Sequence, residues 1–357
     1  MKPVKGHLET LDKGFGFLRN IENNFQPSPE DTFVPPLFIR RFSLPEGVFI
    51  EGAGEKGDAK SGNLKLASID TINGVPGEAF SDIPPLQDQI SIHPDERLTL
   101  TQSPKDLMGR ALDMIAPLGK GQRGLIVSPP KSGKTTVLKH MATSLLANHP
   151  DTDIFILLVD ERPEEVTDFK RGLKDVSVIY SSADQSATNH MRQTRLAINT
   201  AMRCAETGRD AVIFIDSLTR MARAFNTTTN SHGRTLSGGL GANAMEIPRK
   251  VFGAARNIEN GGSLTIMATI LVDTGSRMDD IIFQEFKGTG NLDLVLSREC
   301  AEQRIFPAIN ISQSGTRNEQ LLQDKEEYRE ITDIRRAVSQ MDETTAMSGF
   351  LDFLDKG

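Results

Sequence analysis

The chain of 357 residues is 38% apolar and 25% charged with a net charge of −7. This is an ordinary globular composition, long enough for two cores, and it lacks the global positive field of a nonspecific nucleic-acid coat. Its two cysteines, Cys204 and Cys300, exclude a disulfide framework and a metal-binding thiol set, and no stretch fits a signal peptide or a bilayer span, so the expectation is a cytoplasmic protein without membrane contact.

Residues 1–80 are short runs broken by Gly, Pro, Asn and Asp, which predict a small β-barrel. In Gly14-Phe15-Gly16-Phe17-Leu18-Arg19, strand alternation puts Phe15, Phe17 and Arg19 on one face, with Gly16 leaving room for a flat base. Two readings stand for the rings: barrel core, or stacking platforms beside a cation for single-stranded nucleic acid. Asp31-Thr-Phe33-Val34 and the pair Arg40-Arg41 repeat the layout of a cold-shock-type OB-fold, which favours the second. Residues 81–105, rich in Pro, read as a linker.

Residues 106–357 change to apolar runs alternating with helical periodicity, predicting an α/β domain, a mostly parallel sheet with helices on both faces. Strands are expected at 124–127, 154–159, 176–180, 211–215, 264–271 and 292–296, and helices at 136–147, 187–206 and 248–258. The tract 324–355 reads as charged helix, packed through Leu351, Phe353 and Leu354.

Between the first strand and first helix of that domain lies Ser128-Pro-Pro-Lys-Ser-Gly-Lys-Thr135. Backbone N–H groups of such a loop and the positive end of the following helix can wrap a phosphate chain; Lys134 reaches the terminal phosphates and Thr135 holds Mg²⁺. The general consensus has Gly where Ser128 stands. Acidic residues end two further strands, and Glu161 and Asp216 are chosen as the group that polarises water and the second holder of the metal ion. Thr219 and Arg220 fall near the same edge. The polar loop containing Arg234, Thr235 and Ser237, and a second one at Arg277, suit contact with a sugar-phosphate chain or with a neighbouring subunit.

These motifs, with Asp160-Glu-Arg-Pro-Glu-Glu-Val-Thr-Asp168, Phe252-Gly-Ala-Ala-Arg-Asn257, Glu285-Phe-Lys-Gly-Thr-Gly-Asn291 and Ser314-Gly-Thr-Arg317, resemble the family of the bacterial transcription termination factor Rho, over nearly the whole chain. The resemblance implies a RecA-like P-loop ATPase core preceded by an OB-fold barrel, forming a homohexamer ring. Such a ring translocates along single-stranded RNA, unwinds RNA–DNA duplexes and releases RNA from the RNA polymerase elongation complex. It implies ATP and Mg²⁺, held by Pro130, Lys131, Ser132, Gly133, Lys134, Thr135, Thr136 and Arg162, with Phe306 stacking adenine and Asp216 completing the metal site. Glu161 would activate water, and Arg317 and Arg304 would act across the subunit interface. Phe15, Phe17, Arg19 and Phe33 match the primary RNA site, while Arg234, Thr235, Ser237 and Arg277 match pore loops.

There are departures from the family pattern. The barrel begins almost at Met1, where a small helical subdomain is usual; Gly62-Asn63 replace part of a pyrimidine pocket; and Leu240-Gly241 and Glu246-Ile247 differ after the first pore loop. A rotary or secretion motor subunit would share the core and show no RNA-stimulated hydrolysis. A nonenzymatic RNA-binding protein would not need Lys134, Glu161, Asp216 and Arg317 together.

Overall fold

The computed structural model describes residues 1–57, 63–229, 239–241 and 244–356. The first unit is built from β1 (Lys2–Thr10), β2 (Gly16–Arg19), β3 (Thr32–Val34), α1 (Pro36–Arg41), β4 (Phe49–Lys56), β5 (Leu64–Ile72), β6 (Val75–Pro76) and α2 (Gly77–Phe80). Its sheet runs β3-β2-β1-β4-β5-β6 and closes through a β3–β5 pairing, Phe33 beside Lys65. Alternation sends Val4, Leu8, Leu18, Val34, Ile50, Leu66 and Ile72 into one core. Gly16 belongs to that inner side: a Cβ there would sit 2.5 Å from the Glu9 carbonyl oxygen and 2.6 Å from a Leu8 methyl. The glycine is required by strand packing, and not, as expected from the sequence, by the approach of a base.

The second unit starts with β7 (Ser91–Ile92), α3 (Leu107–Ile115), β8 (Arg123–Ser128), α4 (Lys134–Asn148), β9 (Asp153–Glu161), α5 (Pro163–Gly172) and β10 (Ser177–Ser182). It continues through α6 (Ala187–Glu206), β11 (Asp210–Asp216), α7 (Leu218–Thr229), α8 (Glu246–Phe252), β12 (Arg256–Ile258) and β13 (Ser263–Leu271). It ends with α9 (Arg277–Phe286), β14 (Leu292–Val295), α10 (Arg298–Glu302), β15 (Gly315–Thr316), α11 (Lys325–Val338) and α12 (Glu343–Lys356). The sheet order is β10-β9-β11-β13-β8-β14-β15, parallel from β10 to β14. One face packs on α3, α4, α5, α11 and α12, the other on α6, α7, α8 and α9. Continuous apolar runs such as Ile154–Val159 are what a strand buried on both faces needs.

Three expectations change. Residues 248–258 are not one helix: α8 ends at Phe252, and Arg256–Ile258 forms a short antiparallel strand between β13 and β7. The linker thus contributes β7 to the main sheet. The tract 324–355 is two helices, α11 opening on a capping box between Asp324 and Glu327. In α12, Leu354 is buried, whereas Phe353 is 44% exposed with its ring alongside Phe350.

The barrel is keyed into the second unit. The turn after β2 places Asn24 and Phe25 at positive φ, and Phe25 lies fully buried in the core beneath α6, which is about 1.5–3 kcal/mol of apolar burial. The Asn24 side chain exchanges hydrogen bonds of 2.8 and 2.9 Å with the backbone of Tyr180 in β10.

Candidate nucleotide site and nucleic-acid face

In a parallel sheet the carboxyl ends of the strands share one edge, and here β8, β9, β11 and β13 all present polar residues there. β8 runs into the loop 129–133, in which Lys131 and Gly133 adopt φ of 66° and 92°, and α4 begins at Lys134. The side chain of Ser128, where the consensus has Gly, is absorbed within the loop: its Oγ lies 3.0 Å from Ser132 Oγ, which donates to the Pro129 carbonyl at 2.8 Å. Pro130 and Lys131 on the loop and Thr136 in the first turn of α4 are exposed, Ser132 is buried, and Gly133, Lys134 and Thr135 are half-buried.

Lys134 Nζ donates to Asp216 Oδ1 at 2.6 Å and stands 3.9 Å from Glu161 Oε2. Arg220, from the first turn of α7, places Nη2 3.0 Å from Glu161 Oε1 and donates through Nη1 to the Asp160 carbonyl at 2.6 Å. Thr269 of β13 donates to Asp216 Oδ1 at 2.8 Å. Both carboxylates are buried, yet Glu161 Oε2 and Asp216 Oδ2 have no hydrogen-bond partner. Burial, with the Asp216 charge beside it, pushes the Glu161 carboxyl up to about 7 against the opposing pull of Lys134 and Arg220. Sequence reading placed Arg220 near this edge without a role and missed Thr269; a Thr within a wholly buried strand run was the available signal.

Phe306 is 46% exposed, and its ring is the group a Cβ on Gly133 would meet, at 3.8 Å. Arg304 is exposed two residues away, and Arg162 is exposed at the start of α5. Arg317 lies apart: its backbone N–H donates to the Asn291 carbonyl beside Arg123, at the amino end of β8 and so the opposite edge of the sheet. Arg304 and Arg317 therefore face different edges of one chain. Arg277 is exposed at the start of α9, after the carboxyl end of β13, and α9 is tied to α7 by Arg223 Nε donating to Asp279 Oδ1 at 2.8 Å. Arg234, Thr235 and Ser237 lie outside the described residues.

On the barrel, Phe15, Phe17 and Phe33 are half-buried on one face, with ring centroids 5.4–5.9 Å apart. Arg19 stacks its guanidinium over Phe17, 4.9 Å from the ring centre, as alternation predicts. It is nonetheless buried and neutralised, donating through Nε to Glu9 at 2.6 Å and through Nη1 to Asp31. The cation expected beside the platforms is thus a support behind them. Glu9 also accepts from Arg192 of α6 at 2.5 and 2.8 Å.

Among the described residues no helix is long and apolar enough to cross a membrane. Residues 109–316 match the ATP synthase alpha/beta family, nucleotide-binding domain, and residues 4–78 match the Rho termination factor, RNA-binding domain. The transcription termination factor Rho of Haemophilus influenzae is 46% identical over 98% of this chain and 84% of its own. That of Aquifex aeolicus is 47% identical over 98% and 81%. Among solved structures, a prototypical ATPase from the type III secretion system of pathogenic bacteria superposes with a TM-score of 0.61 at 25% identity, covering 70% of each chain. An ATP synthase subunit, NeqB, of Nanoarchaeum equitans gives 0.57 at 18% identity over 71% of this chain and 63% of that one, a likeness of fold alone.

Proposed function

This chain belongs to the transcription termination factor Rho family, and on that premise we propose which of its residues perform the family's work and in what assembly. The protein is an RNA-binding, ATP-dependent termination factor, an ATP-hydrolysing and RNA-dependent helicase and translocase. The observation that carries the assignment of residues is the cluster of Lys134, Glu161, Asp216 and Arg220 under a phosphate loop, with two buried carboxylate oxygens left unpartnered.

ATP is the substrate. Its phosphates lie along the backbone N–H groups of residues 131–135 at the start of α4, with Lys134 leaving Asp216 to meet them and Phe306 against the adenine. Glu161, a buried carboxylate held near neutrality, takes the proton of the attacking water through Oε2. Arg220 fixes the other oxygen of Glu161 and so aims the base. Thr135 and Asp216 are the residues that would hold Mg²⁺: the donors are oxygens, Asp216 Oδ2 is unpartnered, and among the described residues there is no group of three or more His, Cys, Asp or Glu that could hold a metal without help from phosphate and water. When bound, that ion supplies charge neutralisation at the phosphate oxygens.

Arg317 faces away from its own phosphate loop, so its transition-state charge belongs to a neighbouring copy, which calls for a ring, a homohexamer. Arg304, exposed two residues from Phe306, is the second candidate to act across that interface. The barrel's Phe15, Phe17 and Phe33 stack bases of single-stranded RNA, with Arg19 bracing Phe17. Arg277, with Arg234, Thr235 and Ser237, grips RNA in the ring's channel, and the RNA polymerase elongation complex in the cytoplasm is the target. The test is phosphate release with and without single-stranded RNA across a range of protein concentrations. A chain that stays monomeric and hydrolyses ATP at one rate regardless of RNA would sink this reading.

A further inference from the structure

A cavity of about 590 Å³ lies away from the phosphate loop, between α6 and α8 on the far face of the sheet. Its volume is that of a small-molecule site. Met191, Ile198 and Met202 of α6 make one wall apolar, at the spacing of a single helix face. One feature breaks that apolar lining. Arg256 closes one end; among the described residues its guanidinium joins no ion pair and donates one long hydrogen bond, 3.5 Å, to the Gln87 carbonyl. The other two cations of the rim are satisfied: Arg195 by Glu46 at 2.8 Å and Lys250 by Glu246 at 2.7 Å.

We propose that this cavity is a binding site for a small amphipathic anion, its apolar body along α6 and its single carboxylate-like head on Arg256. A cation without a counter-charge at the end of an apolar groove selects one sign of head group. The site shares no residue with the nucleotide cluster or the aromatic face of the barrel, so it stands or falls independently of them.

Two fluorescent probes separate the components: 1-anilinonaphthalene-8-sulfonate, and its neutral counterpart N-phenyl-1-naphthylamine, which lacks the sulfonate. The full chain should bind the sulfonate at one molecule per chain, more tightly than the neutral probe. Arg256→Gln should weaken the sulfonate about tenfold or more, as expected for a lost charged hydrogen bond, while leaving the neutral probe within about twofold. Met202→Trp, which fills the groove, should abolish both. Equal response of the two probes to Arg256→Gln, retention of both in Met202→Trp, or loss of binding as the chain is concentrated into assemblies would overturn the proposal, the last because the groove is then a face between copies. Arg256 is half-exposed on a short strand, so Arg256→Gln decides the matter even if the tryptophan variant fails to fold.

Discussion

The molecule contains two buried clusters of the same composition, two carboxylates with two cations, and they are finished differently. On the barrel, Glu9 and Asp31 meet Arg19 and Arg192, and none of their buried nitrogen or oxygen atoms lacks a partner. Beneath the phosphate loop, Glu161 and Asp216 meet Lys134 and Arg220, and one oxygen of each carboxylate is left over. Burial alone would raise both glutamates. At Glu9 the bonds from Arg192 and Arg19 overcome it and hold the carboxyl below its ordinary value, while at Glu161 burial and the Asp216 charge win and push it up to about 7. A closed ion cluster is a fastening; one with spare lone pairs and a carboxyl near neutrality is equipped to receive a water, a metal ion and a proton.

The comparison breaks most visibly at Glu161. Glu161→Gln keeps the shape and removes the base, so phosphate release should fall by about 10²–10⁴-fold while binding of a fluorescent ATP analogue persists. Hydrolysis at the normal rate would reduce this cluster to a second fastening. At Glu9 the loss should appear in stability. Glu9→Ala leaves two guanidiniums without their shared partner, and breaking a buried pair costs about 3–5 kcal/mol. The barrel's melting transition should drop and its protease sensitivity rise, with RNA-independent hydrolysis unchanged. Unchanged melting would mean the Arg192–Glu9–Arg19 bridge holds nothing.

The fastening was the less legible of the two in the sequence, for a physical reason. The phosphate loop and the strand-ending Glu161 and Asp216 sit in local patterns: apolar runs long enough for a buried parallel strand, each ending where ligands bind. Alternation likewise put Phe15, Phe17 and Arg19 on one face, and the register Phe17 opposite Phe33 completes it. Nothing local reveals that Arg19 is neutralised, because Glu9, Asp31 and Arg192 come from β1, the segment before β3, and a helix of the other unit. The same non-locality hid β12: its partner β7 lies in the Pro-rich linker, so residues 256–258 were read as a continuation of the helix. Phe353 was misread because a terminal apolar residue on a helix need not face the core.

A third perturbation acts where the fastening meets its cargo. Phe17 contacts Phe15, Phe33 and the Arg19 guanidinium, so Phe17→Ala removes a stacking platform and uncovers the braced cation. Loss of one base–aromatic stack is worth about 1–3 kcal/mol, and affinity for a short single-stranded RNA should fall accordingly, with hydrolysis at saturating RNA retained. If affinity holds, the rings are barrel core and the RNA site lies elsewhere.

The gentlest perturbation is pH, and around neutrality it acts on one cluster and leaves the other unchanged. A base is active only when ionised, so with its carboxyl near 7 the Glu161-dependent kcat/KM should be about half its maximum near pH 7, lose about tenfold per unit below, and level off above pH 8. Glu9, held below the usual carboxylate range, is ionised throughout that interval, so RNA affinity of the barrel should stay flat while hydrolysis falls. Stability carries the same signature with its own sign. The folded chain keeps a proton on Glu161 at pH values where the unfolded chain, at the ordinary 4.5, has released it, so this group's contribution to stability declines as pH rises from 4.5 to about 7. Glu161→Gln should erase both slopes at once. A rate independent of pH between 6 and 8, or an RNA affinity that titrates in step with it, would mean that the unpartnered oxygens do not set the two clusters apart.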